Sequence, residues 1–263
     1  MKLDGCTALI TGASAGIGRE FARQLAPRAQ ALILAARRTN RLEELRVELI
    51  ANHPALTVHV RTVDLSKHKS VTQLCESLAA EAIVPDVLIN NAGLGDRGSF
   101  DSADFGRVND MVQVNVVSLT LLTRKLLPAM IAAKRGAIIN VSSSASFLPV
   151  PGMGVYAATK AYVTSFSEAL GSEVRGHGIT VSALCPGPVH TEFDAVASRP
   201  GERKQSAPEF TYVSPEEVVR DALEGIERAR AIVIPGLAMR IGMSIARMTP
   251  LAVLRFAARV RAS

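Results

Sequence analysis

Apolar segments alternate with amphipathic segments along most of this chain. Buried β-strands are predicted by six short runs rich in apolar and β-branched residues, at positions 7–10, 31–36, 56–63, 87–90, 136–142 and 180–184. Helices are predicted where apolar positions repeat with a helical period, at positions 17–25, 41–51, 71–82, 109–133 and 157–175. This alternation is typical of a doubly wound parallel sheet with helices on both faces. We therefore predict a single α/β domain over residues 1–263.

The last third of the chain departs from this pattern. Residues 192–213 are polar, contain proline and glycine, and show no clear period, so we predict a mobile lid loop over the substrate. Ser214 followed by Pro215 is a typical helix start, and residues 231–234 predict a seventh strand. The domain is thus expected to comprise a cofactor-binding and catalytic core, a lid, and a C-terminal part with helices and the last strand, at residues 1–191, 192–213 and 214–263.

Composition narrows the environment in which this chain works. With 263 residues and 48% hydrophobic content, it can bury a sizeable core. Cys6, Cys75 and Cys185 are odd in number and far apart, and the five histidines have no ligand spacing, so we expect neither disulfides nor a metal. The ten residues before the glycine-rich loop leave no room for the charged region, apolar stretch and cleavage site of a secretory signal. Arginines interrupt every apolar window that is long enough to span a membrane. The sequence predicts a cytoplasmic protein without a membrane span.

The net charge of +6 is concentrated near the C-terminus. Seven arginines and no acidic residues lie between Arg228 and Ser263, and Phe256 is the one aromatic residue among them. Because no nucleic-acid motif accompanies this charge, we do not expect nucleic acid as a partner. Residues beyond Pro250 predict a cationic amphipathic helix. It could dock on an anionic membrane or grip an acidic substrate, but we favour packing over the substrate pocket or a neighbouring subunit.

Three glycines mark the turn between the first strand and the first helix. Gly12, Gly16 and Gly18 would let the backbone approach a pyrophosphate at the helix N-terminus. Gly12, Ser14 and Gly16 also match the nucleophile elbow of α/β-hydrolases. An elbow at residue 14 would leave no upstream strands to supply an oxyanion donor. We therefore favour a dinucleotide site in which Ser14 contacts a phosphate.

A tyrosine and a lysine are spaced for acid/base chemistry. Tyr156 and Lys160 are four residues apart, so on a helix their side chains can lean toward a common point. Lowering the pKa of a tyrosine from about 10 to neutrality requires about 4 kcal/mol. The Lys160 ammonium and a cationic nicotinamide ring could supply this stabilisation together. The spacing therefore predicts a phenol that exchanges protons at physiological pH.

Taken together, the motifs resemble those of the short-chain dehydrogenase/reductase family, which has a Rossmann-like sheet. The resemblance extends to about Thr191. It rests on seven motifs in family order: TGASAGIG from Thr11, DL from Asp64, NNAG from Asn90, Asn115, NVSS from Asn140, YAATK from Tyr156 and PGPVHT from Pro186.

This resemblance implies a role for each motif. Ser143 would hydrogen-bond the substrate oxygen, Tyr156 would act as acid and base, Lys160 would grip the nicotinamide ribose, and Asn115 would order a water in a proton relay. Ser142 and Ser144 are neighbours, but only Ser143 has the family's spacing to Tyr156. The resemblance and the glycine turn together predict these cofactor-binding residues: Gly12, Ser14, Gly16, Ile17, Gly18, Arg37, Arg38, Asp64, Leu65, Asn91, Ala92, Gly93, Tyr156, Lys160, Pro186, Gly187, Val189 and Thr191.

The end of the second strand indicates which dinucleotide is used. A carboxylate there would bind a ribose 2′-hydroxyl and repel a 2′-phosphate, but this chain has Ala36. Arg37 and Arg38 follow, with Arg41 further on, and their planar donors suit a phosphate. Ala15 departs from those NADP-using relatives that place a basic residue in the glycine loop. We expect NADPH rather than NADH.

An apolar substrate is indicated by the residues around the predicted catalytic centre, which include Phe147, Leu148, Val150, Met153, Val155, Leu94 and Phe193. We predict an NADPH-dependent reductase that acts on the carbonyl of a hydrophobic small molecule and reversibly oxidises the secondary alcohol. Steroids, acyl chains and terpenoids all remain open. The alternatives are an NAD-dependent alcohol dehydrogenase and a non-catalytic dinucleotide sensor. The resemblance further implies a homodimer or homotetramer.

Overall fold

The computed structural model describes residues 2–199, 208–250 and 253. A parallel sheet of seven strands forms its centre, in the order β3-β2-β1-β4-β5-β6-β7. This confirms the predicted doubly wound fold. The strands are β1 (Thr7–Thr11), β2 (Ala31–Ala36), β3 (Thr57–Thr62), β4 (Val87–Asn90), β5 (Gly136–Val141), β6 (Ile179–Leu184) and β7 (Ile232–Val233).

Helices connect these strands and cover the sheet. They are α1 (Gly16–Leu25), α2 (Thr39–Asn52), α3 (His68–Ala80), α4 (Phe105–Val112), α5 (Leu119–Ala133), α6 (Gly154–Val174), α7 (Glu192–Ala197), α8 (Pro215–Glu227) and α9 (Leu237–Met248). A π-helical segment, Gln113–Ser118, joins α4 to α5. The predicted cationic helix beyond Pro250 lies outside the described residues, apart from Val253.

Alternating side chains of the strands build two cores, one on each face of the sheet. Leu32 and Leu34 of β2 belong to the core that includes Phe21 of α1 and Leu45 of α2, whereas Ile33 faces the opposite core. The second core is completed by residues of α3, α5 and α6. Because successive strand residues point to opposite faces, fully apolar strands such as β2 require helices on both sides. The apolar runs in the sequence follow from this arrangement.

Polar caps explain where two of the helices begin. Ser214 accepts a hydrogen bond from the Glu217 amide at 3.2 Å, and Pro215 occupies the first turn of α8, as predicted. The prediction of irregular structure throughout residues 192–213 was wrong for the first six of them, which form α7. Thr191 caps this helix by accepting from the Phe193 amide at 3.3 Å. The first turn is also acidic, which favours a helix N-terminus.

One helical run has the dimensions of a membrane span. Phe105–Ala133 is long and apolar enough by length and composition alone, since an 18-residue window within it has a mean hydropathy of 1.5, although the sequence predicted no such segment. Its Leu122, Leu126 and Met130 are buried in the core beneath the sheet. A helix that packs in a core meets the same criteria, so its hydropathy has a ready structural explanation.

Strand order locates the crevice of the fold. The chain leaves β1 in one direction to form β2 and β3, and returns to place β4 on the other side of β1. Ligands of doubly wound proteins bind where the order reverses, beyond the carboxyl ends of the strands. Gly12 follows β1 and Asn91 follows β4 at this position. The topology therefore brings the predicted glycine loop and the Asn-Ala-Gly motif together.

Candidate active site

A large cleft opens at the carboxyl ends of the strands. Its volume is about 1930 Å³, whereas pockets for drug-sized ligands measure about 300–1,000 Å³. One part is lined by the glycine loop, the end of β2 and the turn after β4, and the other by Ser143, Tyr156 and α9. The cleft can therefore hold an elongated ligand such as a dinucleotide together with a second molecule.

Two glycines give the loop after β1 its shape. Gly12 has φ +68° and Gly16 has φ +52°, a backbone conformation that side chains disfavour. Asn91 supports this loop from below, since its amide nitrogen donates to the carbonyl of Thr11 at 2.9 Å and of Gly12 at 3.3 Å. The loop leads directly into the N-terminus of α1, which suits a pyrophosphate.

Gly18 has a different function from the other two glycines. An added Cβ would lie 2.4 Å from both the Asn91 amide nitrogen and the Gly12 carbonyl oxygen. Gly18 is absent from the cleft lining, unlike Gly12 and Gly16. Its lack of a side chain thus permits α1 to pack under the loop, and its contact with the cofactor stays a prediction.

Arginines occupy the cleft at the end of β2. Arg37 and Arg38 line it beside Ala36. Arg38 donates to the Ser14 hydroxyl from its Nε at 3.3 Å and from a terminal nitrogen at 3.2 Å. Asp64 also lines the cleft, and its carboxylate accepts from the Ser66 amide at 3.0 Å, which fixes the turn after β3. These residues fit a phosphorylated adenosine because cationic donors converge where the acidic residue of NAD sites is missing.

Tyr156 and Lys160 lie one turn apart on α6, as their spacing predicted. Both are buried, with 8% and 4% of their surface exposed, and both line the cleft. The Lys160 Nζ atom is 5.7 Å from the centre of the Tyr156 ring and donates to the Val141 carbonyl at 2.8 Å. The carbonyl at the end of β5 therefore fixes the ammonium next to the phenol.

Burial dominates the proton affinity of both groups. It raises the pKa of Tyr156 to about 12, against the opposing effect of a hydrogen bond from Ser143. Burial also lowers the pKa of Lys160 to about 8. The joint lowering of this pKa by the Lys160 ammonium and a cationic nicotinamide ring stays a prediction. At neutral pH, Tyr156 holds its proton and is available as a donor.

Of the three consecutive serines after β5, each has its own surroundings. Ser142 is buried, donates to the Lys160 carbonyl at 2.8 Å and lies 2.7 Å from the Thr164 hydroxyl. Ser143 is partly exposed in the cleft and interacts with Tyr156, whereas Ser144 begins a short 3₁₀ helix. This geometry supports Ser143 as the serine that meets a substrate, and Ser142 as a residue that fixes α6.

Asn115 is fully buried behind the cleft, in the π-helical segment. Its side-chain oxygen accepts from the Leu94 amide at 2.8 Å, and its nitrogen donates to the Leu94 carbonyl at 2.9 Å and to Thr159 at 3.0 Å. A Cβ on Gly93 would lie 3.3 Å from the Lys160 Nζ and 3.5 Å from the Asn115 oxygen. The missing side chain of Gly93 thus leaves space between these two polar atoms.

Apolar side chains surround the catalytic end of the cleft. Leu94, Leu148, Val150, Met153 and Phe193 line it as predicted, whereas Phe147 and Val155 do not. The Phe193 ring on α7 lies 5.5 Å from the Tyr156 ring. Other side chains that line the cleft were not predicted from the sequence. They come from α9 and the neighbouring loop, and they are Met239, Met243, Ala246, Thr211 and Tyr212.

Except for Gly18 and Asn115, every predicted catalytic or cofactor-binding residue lines the same cleft. The predicted residues that line it are Gly12, Ser14, Gly16, Ile17, Arg37, Arg38, Asp64, Leu65, Asn91, Ala92, Gly93, Ser143, Tyr156, Lys160, Pro186, Gly187, Val189 and Thr191. Among the described residues, no group of three or more histidine, cysteine, aspartate or glutamate side chains is arranged to hold a metal ion.

Comparison with known proteins agrees with this architecture. A family model described as short chain dehydrogenase matches residues 6–200. The NADP-dependent 3-hydroxy acid dehydrogenase of Schizosaccharomyces pombe is 35% identical over 240 residues, which cover 89% of this chain and 91% of that protein. The chain therefore belongs to the short-chain dehydrogenase family and is an NAD(P)-dependent oxidoreductase.

Solved structures show the same fold with different cofactors. A short-chain dehydrogenase from Sphingobium yanoikuyae in complex with NADPH has a TM-score of 0.81 and 32% identity, over 92% of this chain and 94% of that one. A bulky-bulky ketone specific alcohol dehydrogenase from Comamonas testosteroni has a TM-score of 0.77 and 30% identity, over 92% of each chain. A Burkholderia phymatum member with a TM-score of 0.79 and 26% identity over 93% of each chain holds NAD. A nicotinamide dinucleotide is thus the cofactor class of this protein.

Proposed function

We propose that this protein is an NADPH-dependent carbonyl reductase for a hydrophobic small molecule, and that it reversibly oxidises the secondary alcohol. The observation that carries the proposal is the convergence of Ser143, Tyr156 and Lys160 at the apolar end of the cleft. NADPH, when bound, would supply the hydride for the carbonyl carbon. The protein would provide the proton and the hydrogen bonds that the carbonyl oxygen needs as it gains negative charge.

Each catalytic residue has a task consistent with its surroundings. Tyr156, protonated at neutral pH, would donate its proton to the carbonyl oxygen, and Ser143 would hold that oxygen by a hydrogen bond. Lys160, fixed by the Val141 carbonyl, would grip the nicotinamide ribose and favour the phenolate that remains. Asn115 would hold a relay water in the space beside Gly93, since both its oxygen and the Lys160 ammonium border that space.

Removing one arginine tests the preference for NADPH. Arg38→Ala takes away a planar donor at the end of β2, so we expect the Kd for NADPH to rise about five- to thirtyfold, with little change for NADH. Isothermal titration with both dinucleotides measures this selectivity. Arg46→Ala is the control, because Arg46 is on the same helix as Arg41 but pairs with Glu43 away from the cleft. Equal losses for both dinucleotides in Arg38→Ala would favour an NAD-dependent dehydrogenase.

A substrate series tests the proposed chemistry. We expect NADPH oxidation with ketones and aldehydes, with KM falling as the apolar body grows, because side chains such as Leu148, Met153 and Met243 line the cleft. Initial rates with ketones of increasing chain length and with cyclic ketones provide the measurement. Tight NADPH binding without turnover of any compound would contradict the proposal and favour a dinucleotide sensor.

We also propose a homo-oligomer, in which the helices that hold Asn115 and Tyr156 form the interface. Large apolar side chains are exposed on α4, the π-helical segment and α6, namely Phe105, Val112, Val117 and Tyr162.

The three cysteines are free, which fits a reducing cytoplasm. Because Met239 and Met243 of α9 line the cleft, packing over the substrate pocket is the use of the C-terminal part that we favour over membrane contact. Residues 192–199 and 208–213 would then serve as the opposing lid.

A further inference from the structure

Glu192 bridges the mouth of the cleft. It is the first residue of α7, and its carboxylate pairs with Arg38 at 2.8 Å and with Arg41 at 2.5 Å. These arginines lie on the opposite wall, after β2 and in α2. The lid side of the cleft is thereby tied to the wall that carries the phosphate-reading arginines. All three side chains are partly exposed, so a ligand entering from solvent can reach them.

Each of the three guanidinium nitrogens of Arg38 already donates a hydrogen bond in this arrangement. One terminal nitrogen donates to Glu192, while Nε and the other terminal nitrogen donate to the Ser14 hydroxyl. Hydrogen bonds from Arg38 and then Arg41 hold the pKa of Glu192 below its usual value, so the carboxylate is charged at neutral pH. A phosphate that approaches Arg38 therefore meets a guanidinium already paired with an anion, and like charges repel.

The rest of α7 is anchored separately, from its third residue onward. Asp194 pairs with Arg97 at 3.3 Å, and the Ala197 carbonyl accepts from the Arg97 amide at 2.9 Å. Between the two anchors, Phe193 contacts the ring of Tyr156. Releasing Glu192 would therefore free the first residue of α7 from the arginines, while the helix stays attached to Arg97 from Asp194 onward. Such a movement would alter the contact between Phe193 and the catalytic tyrosine.

We propose that Glu192 is an internal competitor for the 2′-phosphate of NADPH, and that the phosphate releases Glu192 at the start of α7 by taking over Arg38 and Arg41. This inference rests on the proposed NADPH preference. Because the carboxylate and the phosphate bind the same donors, occupancy by one disfavours the other, and the coupling is reciprocal. NADH, which has no 2′-phosphate, leaves the Glu192 pairs in place. Glu192 is thus a specificity-determining residue that opposes the cofactor the arginines attract.

Equilibrium binding to Glu192→Gln tests the competition without relying on turnover. We expect the Kd for NADPH and for the fragment adenosine 2′,5′-bisphosphate to fall about three- to tenfold, the range for releasing one or two exposed ion pairs. The Kd for NADH and for adenosine 5′-monophosphate should stay unchanged. Isothermal titration of all four ligands measures this difference. Unchanged or weaker binding of both 2′-phosphorylated ligands would overturn the inference.

A second carboxylate in the chain provides a matched control. Glu48 also bridges two arginines, with 2.9 Å to Arg19 and 2.6 Å to Arg23, but lies outside the cleft. Glu48→Gln removes the same charge and should leave all four Kd values unchanged. If Glu48→Gln lowers the Kd for NADPH as much as Glu192→Gln does, the tighter binding comes from the change in net charge and the inference fails.

The movement of α7 has its own readout in hydrogen exchange. In the wild type, saturating adenosine 2′,5′-bisphosphate should accelerate amide exchange at the start of α7, where the Phe193 amide donates to the Thr191 hydroxyl, whereas adenosine 5′-monophosphate should not. In Glu192→Gln this exchange should be fast before any ligand is added. Equal protection of the start of α7 with both fragments would overturn the release of Glu192.

Arg38→Ala separates this inference from the proposed function. If Arg38→Ala does not weaken the binding of NADPH relative to that of NADH, the proposed NADPH preference itself fails, whatever the result for Glu192→Gln. If Arg38→Ala weakens NADPH but Glu192→Gln changes no Kd, the arginine reads the phosphate and only the competition fails. The double variant Arg38→Ala with Glu192→Gln should lose most of the gain, because the freed donor is missing.

Discussion

Replacement of Tyr156 by phenylalanine is expected to lower kcat/KM for carbonyl reduction by about a thousandfold. Positioned proton donors contribute about a hundred- to ten-thousandfold to catalysis, and no second acidic hydroxyl with the same position is evident among the described cleft residues. Ser143 remains in the variant, but a serine hydroxyl is far too weak an acid to deliver a proton at neutral pH. The rate of NADPH oxidation with a saturating ketone measures the loss.

The surroundings of Tyr156 explain why the loss should appear in turnover rather than in folding. The ring is buried against Phe193, and burial raises the pKa of the phenol to about 12. Phenylalanine keeps the ring and removes only the hydroxyl, so the apolar packing survives. The free energy of unfolding should change by less than about 1 kcal/mol, because removing a buried polar group relieves a desolvation cost.

Tyr162 provides the control for this substitution. It lies on the same helix, and its hydroxyl is 2.9 Å from that of Thr120, away from the cleft. Tyr162→Phe makes the same chemical change and should leave kcat/KM unaltered. Retention of more than a tenth of the activity in Tyr156→Phe would identify another proton donor, and an equal loss in Tyr162→Phe would attribute the effect to α6 itself.

The sheet and most of the cleft could be predicted because their determinants are local. A strand buried on both faces must be apolar throughout, as in β2, and a loop that approaches its ligand by its backbone needs glycines, as at Gly12 and Gly16. The order of the strands along the chain then fixes where these loops lie, because parallel strands bring the loops that follow them to one edge of the sheet. Tyr156 and Lys160 could be paired for the same reason, because one helical turn separates them.

Features that depend on contacts distant in sequence could not be predicted in this way. The pairing of Glu192 with Arg38 joins residues 154 positions apart. The sequence around neither residue contains a pattern that indicates this pairing. The cleft-lining methionines of α9 look like ordinary core positions of an amphipathic helix. The pKa of Tyr156 depends on burial by surrounding elements, and spacing to Lys160 contains no information about desolvation.

Gly18 shows how the sequence can identify a residue correctly and its role only in part. The motif predicts a contact with the cofactor, which stays a prediction, and the structure adds a role for Gly18 in packing α1 against the turns after β1 and β4. A side chain there would meet the Gly12 carbonyl, which belongs to the backbone of the glycine loop. Backbone cannot swing aside as a side chain can, so the loop itself would have to move.

Gly18→Ala is accordingly expected to destabilise the protein by about 2–3 kcal/mol, the cost of overpacking a rigid site. It should also weaken NADPH binding, although Gly18 does not line the cleft, because the displaced Gly12 belongs to the phosphate loop. In a chain of this size the melting temperature should fall by roughly 5–10 °C. Denaturant unfolding and dinucleotide titration of the same preparation measure both effects.

Gly171 offers the opposite expectation for the same substitution. It lies within α6, and an added Cβ would be 3.5 Å from Val181, an ordinary contact distance. Alanine is favoured over glycine in a helix by about 1 kcal/mol, so Gly171→Ala should be neutral or stabilising. Comparison of Gly18→Ala with Gly171→Ala therefore separates the two effects of an added methyl group on the free energy of unfolding, namely better helix propensity and steric crowding. If Gly18→Ala proved as stable as Gly171→Ala but bound NADPH weakly, Gly18 would be a direct cofactor contact and the packing role would be wrong.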